Sequence, residues 1–264
     1  MHTINIRVTH KKADVQTLET FSFPDLKKTL IEICNLPSVK ECVIIQTCNR
    51  VEIFAAAEDV DLAYHDIIDY VMEVTIARMK ESQHIPPDIP PEKLMDHIIN
   101  SSKMMHDVIE SEFHIDALYH LLRLTSGLES MIVGEDQVLG QVRESYHLAA
   151  SANTLGPFLK NIITKALHVG QRARTETKIN EGAVSIGSAA VELAESIFGT
   201  LNGKTVMLIG AGEVGSLTAK ALGDHKIKSL IVANRTYSRG QKIAKILNGK
   251  AVKFDEVEKW MKKS

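Results

Sequence analysis

Cys48 lies in the segment QTCNRVEIF, where polar residues surround a thiol between two stretches of β-branched, alternating residues. A thiolate is a strong nucleophile, and Arg50 would favour the ionised form if the fold brought the two side chains together. The ordinary role of a lone cysteine in a β-rich stretch is that of a small buried hydrophobic residue. Cys42 has apolar neighbours and suits that role, whereas Cys48 has polar ones. A nucleophile on a turn and a core residue are therefore both open for Cys48.

A glycine-rich loop, GAGEVG, follows the short apolar segment Thr205–Ile209 and precedes a segment that we predict to be helical as far as Leu222. In such a loop the first glycine permits a tight turn, the second lets a pyrophosphate approach the backbone, and the third lets the helix pack on the strand. The N-terminus of the helix then faces the phosphates. This context favours a dinucleotide site over a generic strand-to-helix turn. The predicted cofactor-binding residues of the loop are Gly210, Ala211, Gly212, Glu213, Val214 and Gly215.

The residues after the next predicted strand, Ser229–Ala233, distinguish between the two nicotinamide cofactors. An acidic residue at this point accepts hydrogen bonds from a ribose 2′-hydroxyl and would repel a 2′-phosphate. This chain has Asn234, Arg235 and Thr236 there, with Arg239 soon after. An arginine with hydroxyl donors favours a 2′-phosphate. We therefore predict NADPH as the cofactor, with the three residues from 234 to 236 among its contacts.

A cysteine nucleophile combined with a nicotinamide cofactor indicates acyl transfer to sulfur, followed by hydride delivery to the thioester. A thioester accepts hydride more readily than an ester or an amide, because sulfur donates less electron density into the carbonyl. A thiol-dependent aldehyde dehydrogenase acting on an acyl phosphate would use the same combination, but only Cys48 and the glycine loop support that alternative.

The elements that must position these residues form two domains that differ in their secondary-structure pattern. Residues 1–154 read as an α+β catalytic domain that binds the substrate, and residues 155–264 as connecting helices and a truncated Rossmann-type parallel sheet, so that the fold class is α/β. A segment with four prolines, HIPPDIPPEK, interrupts the first domain. The predicted strands are Ile4–Val8, the two flanks of Cys48, Thr205–Ile209, Ser229–Ala233 and Ala251–Phe254. The predicted helices are Asp25–Cys34, Asp59–Lys80, Asp116–Ser126, Gln137–Ala150, Leu155–Arg174, the one after the glycine loop and Ser238–Leu247.

Composition is that of an ordinary globular protein, with 44% hydrophobic and 24% charged residues in 264. From Gly199 onward, 13 Lys and Arg residues stand against five Asp and Glu, which suits a phosphate-bearing ligand but equally a solvated lysine face. Three cysteines, no apolar run of membrane-spanning length and no secretory leader indicate a cytoplasmic protein. No HExxH motif and no cysteine pair with zinc spacing occur, so we predict no metal site.

Several longer segments together resemble the glutamyl-tRNA reductase family, over nearly the whole chain. They are VTHKKADV, QTCNRVEIF, HLLRLTSGLESMIVGEDQVLGQVRESY, QRARTETKINEGAVS, LIGAGEVG and VANRT. The resemblance implies NADPH-dependent reduction of L-glutamyl-tRNA(Glu) to glutamate-1-semialdehyde through a cysteine thioester, the first step of the five-carbon route to tetrapyrroles (porphyrin and haem). It also implies glutamyl-tRNA(Glu) and a glutamate-1-semialdehyde aminomutase as partners.

Carried over position by position, the resemblance makes Cys48 the nucleophile and His120 a residue linked to activity. Without it, His120 reads as a polar helix residue with a hydrogen-bonded neighbour. Asp136 stands where a proline is common in the family. The residues similar to the family's substrate contacts are Thr47, Asn49, Arg50, Ser130, Glu135, Asp136, Gln137 and Gln141.

Family members are longer and add a helical segment that makes a homodimer. In this chain about fifty residues follow the glycine loop, so we expect the adenosine half of a dinucleotide domain without the nicotinamide half or the dimerisation segment. A fragment and a naturally short product both fit that expectation. So do two functions: the reductase, and a catalytically incompetent module of the same family that binds substrate and nucleotide.

Overall fold

The computed structural model describes residues 1–81, 106–180 and 185–262, which form two compact units. The first unit comprises Met1–Met131 and Gln137–Lys178, and the second comprises Ile132–Asp136 and Ile179–Ser264. Sequence analysis placed the domain boundary after residue 154, whereas the contacts keep the helix that follows it in the first unit. The proline-rich segment lies outside the described residues.

The first unit is a four-stranded antiparallel sheet, in the order β2-β3-β1-β4, with helices packed against it. Its core includes fully buried aliphatic side chains from the strands and the helices, among them Ile4, Ile44, Leu121 and Leu159. The elements in chain order are β1 His2–Thr9, α1 Val15–Phe21, α2 Leu26–Cys34, β2 Val39–Gln46, β3 Arg50–Ala57, α3 Val60–Glu81, β4 Glu110–Phe113, α4 His114–Thr125, α5 Gln137–Ser151 and α6 Pro157–Glu176.

One face of this sheet is polar and nevertheless buried. In the β1–β3 pairing Arg7 lies opposite Glu52 and Thr9 lies opposite Arg50, and directly opposed residues share a face. Alternation along β1 adds Asn5 to that face, while the aliphatic residues between them point to the other side. None of these polar residues is more than 9% exposed. Because buried charges are costly unless paired, the face must contain its own compensating partners.

The second unit confirms the predicted βαβαβ progression, with three parallel strands in the order β5-β6-β7. Each strand is followed by a helix, and the fold is an incomplete Rossmann-type sheet. Apolar side chains of β6, Leu230 and Val232, are fully buried between strand and helix layers. The elements are α7 Ile186–Phe198, β5 Thr205–Ile209, α8 Glu213–Ala221, β6 Ser229–Asn234, α9 Tyr237–Ala244, β7 Lys250–Lys253 and α10 Val257–Met261.

Sequence analysis did not predict β4, α1, α7 or α10. The strand β4 has the sequence ESEF, whose charged residues carry little strand propensity. It forms because β1 offers it a free edge and Arg7 offers its glutamates a cation. Tertiary pairing, rather than local preference, therefore decides this element.

Candidate functional site

Cys48 lies at the tip of the hairpin that joins β2 to β3. The N–H of Thr47 donates to the carbonyl of Arg50 at 2.9 Å, so that Cys48 and Asn49 are the two residues of the turn. The Asn49 N–H donates to Thr47 Oγ1 at 3.1 Å, and the His10 N–H donates to the Asn49 carbonyl at 2.9 Å. These bonds fix the turn against the end of β1, while the Cys48 side chain is exposed.

The other two cysteines have surroundings that suppress reactivity. Cys42 is fully buried on β2, and burial raises the pKa of its thiol strongly, with a further contribution from Cys34. Burial, followed by the charge of Glu41, also raises the pKa of Cys34, whose Sγ donates to the Lys40 carbonyl at 3.7 Å. Cys48 is the exposed thiol of the three.

Immediately after the turn, a fully buried carboxylate collects three donors. Arg50 Nη1 donates to Glu52 Oε1 at 2.7 Å. His120, from α4, lies with its Nε2 at 2.7 Å from Glu52 Oε2, and Asn5 Nδ2 donates to the same oxygen at 3.3 Å. The His120 ring also stacks on Phe54, with centroids 6.2 Å apart. Arginine, glutamate and histidine therefore form one buried network.

Glu52 remains ionised in spite of its burial. Burial alone would raise the pKa of Glu52, but the hydrogen bond and charge of His120, and then those of Arg50, lower it to about 2. The Arg50 guanidinium is thus held by Glu52 and, through Nη2, by the Glu129 carbonyl. Sequence analysis considered Arg50 as a cation for the thiolate; its hydrogen bonds in the structure go to these two oxygens.

A second carboxylate, Glu129, gathers cations in the segment that follows α4. Its Oε1 accepts from Arg123 Nε at 2.5 Å, and its Oε2 accepts from Lys11. Burial would raise the pKa of Glu129, but Lys11 and Arg123 lower it. The next residue, Ser130, is only 6% exposed, and its hydroxyl has no hydrogen-bond partner among the described residues. Burying a hydroxyl without a hydrogen-bond partner costs free energy, and a ligand that bonded to Ser130 would remove that cost.

A polar cavity of about 280 Å³ adjoins this network, a size that suits an amino-acid moiety. Its walls carry both signs of charge, so that it could receive an ammonium and a carboxylate of one ligand. The residues that line it are Arg7, Glu112, Asp116, Tyr119, His120, Arg123 and Glu129.

The remaining predicted substrate contacts are divided between the two units. Gln137 opens α5 in the first unit, and Gln141 follows one turn later on the same helix. Glu135 and Asp136 belong to the second unit, where the Glu135 N–H donates to the Ile132 carbonyl at 3.2 Å.

Sequence analysis missed the residues that connect the predicted ones. Glu52 holds Arg50 and His120, and Glu129 is bound to Arg50 through its carbonyl. Arg7 donates to Asn5 Oδ1 at 2.7 Å and to Glu112 Oε1 at 3.0 Å, which extends the network to β4. The available signal was a run of polar residues at every second position of β1 and β3, which was not interpreted from the sequence.

The glycine loop in the second unit has the geometry that nucleotide binding requires. Gly210 has a φ of +108°, which disfavours any residue with a side chain. A Cβ on Gly215 would lie 2.6 Å from the Gly210 carbonyl oxygen, whereas a Cβ on Gly210 or Gly212 would meet nothing within 4 Å. The loop is therefore tight where helix meets strand and open where a phosphate would approach. The helix begins at Glu213, whose side chain lies outside the described residues, and Val214 is 45% exposed.

Asn234, at the end of β6, connects the two parts of this predicted site. Its Oδ1 accepts from the Ala211 N–H at 3.0 Å, and its Nδ2 donates to the Thr236 carbonyl at 2.8 Å. Asn234 therefore braces the glycine loop. Arg235 and Arg239, which follow Asn234 in the chain, are exposed. A cation that binds a 2′-phosphate must be accessible in this way.

Two further observations concern the described residues only. Nowhere in these segments do three or more His, Cys, Asp or Glu side chains come together as metal ligands would. None of the helices within them is both long and apolar enough to cross a membrane.

Comparison with family models divides the chain into two matches. Residues 6–177 match the model described as glutamyl-tRNAGlu reductase, N-terminal domain, and residues 192–264 match shikimate / quinate 5-dehydrogenase. The second match supports a dehydrogenase-type dinucleotide-binding domain.

Curated relatives agree with the first match. The chain is 40% identical over 257 residues to the glutamyl-tRNA reductase of Methanocella arvoryzae, covering 97% of this chain and 53% of the relative. It is 43% identical over 256 residues to that of Methanothermobacter marburgensis, covering 97% and 54%. The solved glutamyl-tRNA reductase from Methanopyrus kandleri matches with 38% identity and a TM-score of 0.56, covering 97% of this chain and 55% of that one. The chain thus spans about half the length of these relatives.

Proposed function

The chain belongs to the glutamyl-tRNA reductase family, and on that premise we propose that it carries out the NADPH-dependent reduction of L-glutamyl-tRNA(Glu) to glutamate-1-semialdehyde, which opens the five-carbon route to tetrapyrroles. The observation that supports this proposal most directly is the exposed Cys48 thiol on a fixed turn, next to a buried Arg50–Glu52–His120 network. A module that only binds would not need an exposed thiol at this point, so catalysis is favoured over the binding-module alternative.

In the first step the Cys48 thiolate attacks the ester carbonyl of the glutamyl group. A carbon–sulfur bond forms, the ester carbon–oxygen bond breaks, and the tRNA hydroxyl leaves with a proton. Thr47 and Asn49 hold the turn, and the hydroxyl of Ser130, which has no partner within the described part of the chain, is available to the substrate. His120 is the group of the buried network that is suited to proton transfer, because an imidazole can donate a proton from one ring nitrogen and accept one at the other.

The polar cavity supplies specificity for the glutamyl group in this proposal. A glutamyl ester carries an ammonium and a side-chain carboxylate, and the cavity walls contain both carboxylates and guanidinium groups. An aminoacyl group with an uncharged side chain would lack the carboxylate that can pair with the guanidinium groups of the cavity, which discriminates against it.

The residues of the second unit fit a dinucleotide. The open approach at Gly210 and Gly212 would take the pyrophosphate, the α8 N-terminus would face its charge, and Arg235 would pair with a 2′-phosphate. When bound, NADPH supplies the hydride that turns a thioester into an aldehyde.

Partners and compartment are part of the same proposal. Glutamyl-tRNA(Glu) is the substrate, and the reactivity of the α-amino aldehyde product favours direct transfer to glutamate-1-semialdehyde aminomutase. Free thiols at Cys34, Cys42 and Cys48 suit a reducing cytoplasm. The family resemblance implies a homodimer for the longer members, and multi-angle light scattering measures the oligomeric state of this chain.

The decisive experiment is to trap the acyl-enzyme. The chain is incubated with glutamyl-tRNA(Glu) without NADPH, quenched in acid and digested, and the peptide that contains Cys48 is examined by mass spectrometry. We expect the added mass of a glutamyl group on that peptide. We also expect release of aldehyde when NADPH is added to a form of the protein that is extended beyond residue 264.

Cys48→Ser should abolish the adduct, because a serine hydroxyl is not ionised at neutral pH. Cys34→Ser is the matched control and should leave the adduct in place, since Cys34 lies on the far end of α2 with its thiol bonded to a carbonyl. An adduct that persists in Cys48→Ser would remove Cys48 from the reaction.

A further inference from the structure

We infer that Glu52 is the positioning residue of the site: it holds the proton of His120 on Nε2 and so leaves Nδ1 as the nitrogen that can accept a proton. The inference rests on the proposed function for its catalytic meaning, but its structural part can be tested without substrate.

The geometry leaves Glu52 only one possible role toward His120. An ionised carboxylate has no proton to donate, so the 2.7 Å contact between Glu52 Oε2 and His120 Nε2 requires Nε2 to be the donor. In a neutral imidazole the other nitrogen then has no proton and acts as the acceptor. The stack on Phe54 and the position on α4 restrict the ring further, and His120 forms part of the cavity wall.

The same carboxylate also fixes Arg50. Replacing one of its two oxygens would therefore change the hydrogen bonds of the whole network. Glu52 Oε1 accepts from Arg50 and Oε2 accepts from His120 and Asn5, so both oxygens serve donors. Asn5 cannot easily reverse its amide, because its Oδ1 accepts from Arg7 at 2.7 Å. Of the groups around Glu52, only the imidazole can change from donor to acceptor.

Glu52→Gln tests this reasoning, because glutamine has the shape of glutamate but only one acceptor oxygen. Arg50 is always a donor and carries a charge, so the glutamine oxygen should face it and the amide NH₂ should face His120. The NH₂ group can be accommodated only if His120 moves its proton from Nε2 to Nδ1. The variant therefore keeps the shape of the side chain, loses the 3.3 Å hydrogen bond from Asn5 Nδ2 and reverses the tautomer.

The measurement is the ¹⁵N chemical shift of the two His120 ring nitrogens, which separates a protonated from a bare nitrogen. In the wild-type protein we expect a proton on Nε2, and in Glu52→Gln a bare Nε2 with the proton on Nδ1. Cys48 acylation by glutamyl-tRNA should fall on the order of 10²-fold or more in the variant, the range that general acid–base catalysis contributes. The substrate concentration at half-maximal rate should change far less, because the cavity keeps its other charges.

Glu41→Gln is the matched control. Glu41 is also a buried strand glutamate, only 5% exposed, whose two oxygens accept from two donors, but these are the N–H groups of Phe158 and Leu159 at the start of α6. Its substitution should cost stability and leave both the His120 tautomer and the acylation rate unchanged.

A bare Nε2 in the wild-type protein overturns the inference whether or not any variant folds. So does an Nε2 proton that persists in folded Glu52→Gln, or an acylation rate within about twofold of wild type in that variant. Absence of acylation in the wild-type chain would instead contradict the proposed function and leave the tautomer result standing.

Discussion

Replacement of Glu41 should destabilise the first unit by a predictable amount, because this one carboxylate caps a helix from another element. Helix α6 begins at Pro157, which has no N–H to satisfy, and its N-cap residue Gly156 provides no side-chain cap. The next two N–H groups, of Phe158 and Leu159, donate to Glu41 Oε1 and Oε2 at 3.0 and 2.6 Å. Glu41→Ala would remove the partner of the buried Leu159 N–H and of the part-buried Phe158 N–H, at a cost of about 1–3 kcal/mol per group.

The expected loss is therefore about 2–6 kcal/mol for Glu41→Ala and about half of that for Glu41→Gln, which keeps one acceptor. Urea unfolding followed by circular dichroism measures both values, and the slope with denaturant should stay unchanged if both states keep their compactness. Glu58→Ala, at an exposed position, is the control and should change the free energy of unfolding by no more than about 0.5 kcal/mol. The capping argument fails if Glu41→Ala behaves like Glu58→Ala, or if the alanine and glutamine variants are equally unstable.

Arg235→Glu should weaken NADPH binding by about tenfold or more, because a charge-assisted bond to the 2′-phosphate is worth about 1.5–3 kcal/mol. NADH binding should hardly change, and equal losses in fluorescence titrations with the two cofactors would show that Arg235 does not read the phosphate. Gly215→Ala should abolish binding of both cofactors, since its Cβ would lie 2.6 Å from the Gly210 carbonyl oxygen; unchanged titrations would contradict the packing argument. The pKa of Glu52 is lowered from 4.5 to about 2 by folding, so its contribution to stability is complete above pH 4.5 and is lost as the pH falls toward 2. The first unit should lose about 3 kcal/mol from this group over that range, and Glu52→Gln should flatten the acid limb of the stability profile; an identical acid limb in the variant would exclude Glu52 as its source.

Features that depend on neighbours in the chain could be predicted from the sequence. The glycine loop is one case, because a φ of +108° at Gly210 and a close approach at Gly215 can be met only by glycine, and glycine is what the sequence has there. The alternation of Ile4 to Val8 predicted a strand, the apolar run Thr205–Ile209 predicted a parallel one, and both are confirmed. The family resemblance is confirmed as well, since it depends on contiguous motifs.

The network around the thiol could not be predicted, because its members are far apart in the chain and alternation has the same pattern on a solvated and on a buried polar face. Glu52 and His120 are 68 residues apart, and Arg50 and the Glu129 carbonyl are 79 apart. Only when α4 packs over the polar face of β1 and β3 does water leave it, and only then do its charges require one another as partners. The sequence by itself determined the strands other than β4, the turn with its cysteine and the glycine loop. The tertiary structure decided that Glu52 is buried, ionised and bonded to both Arg50 and His120, because burial and pairing are properties of the packed elements and not of any one segment.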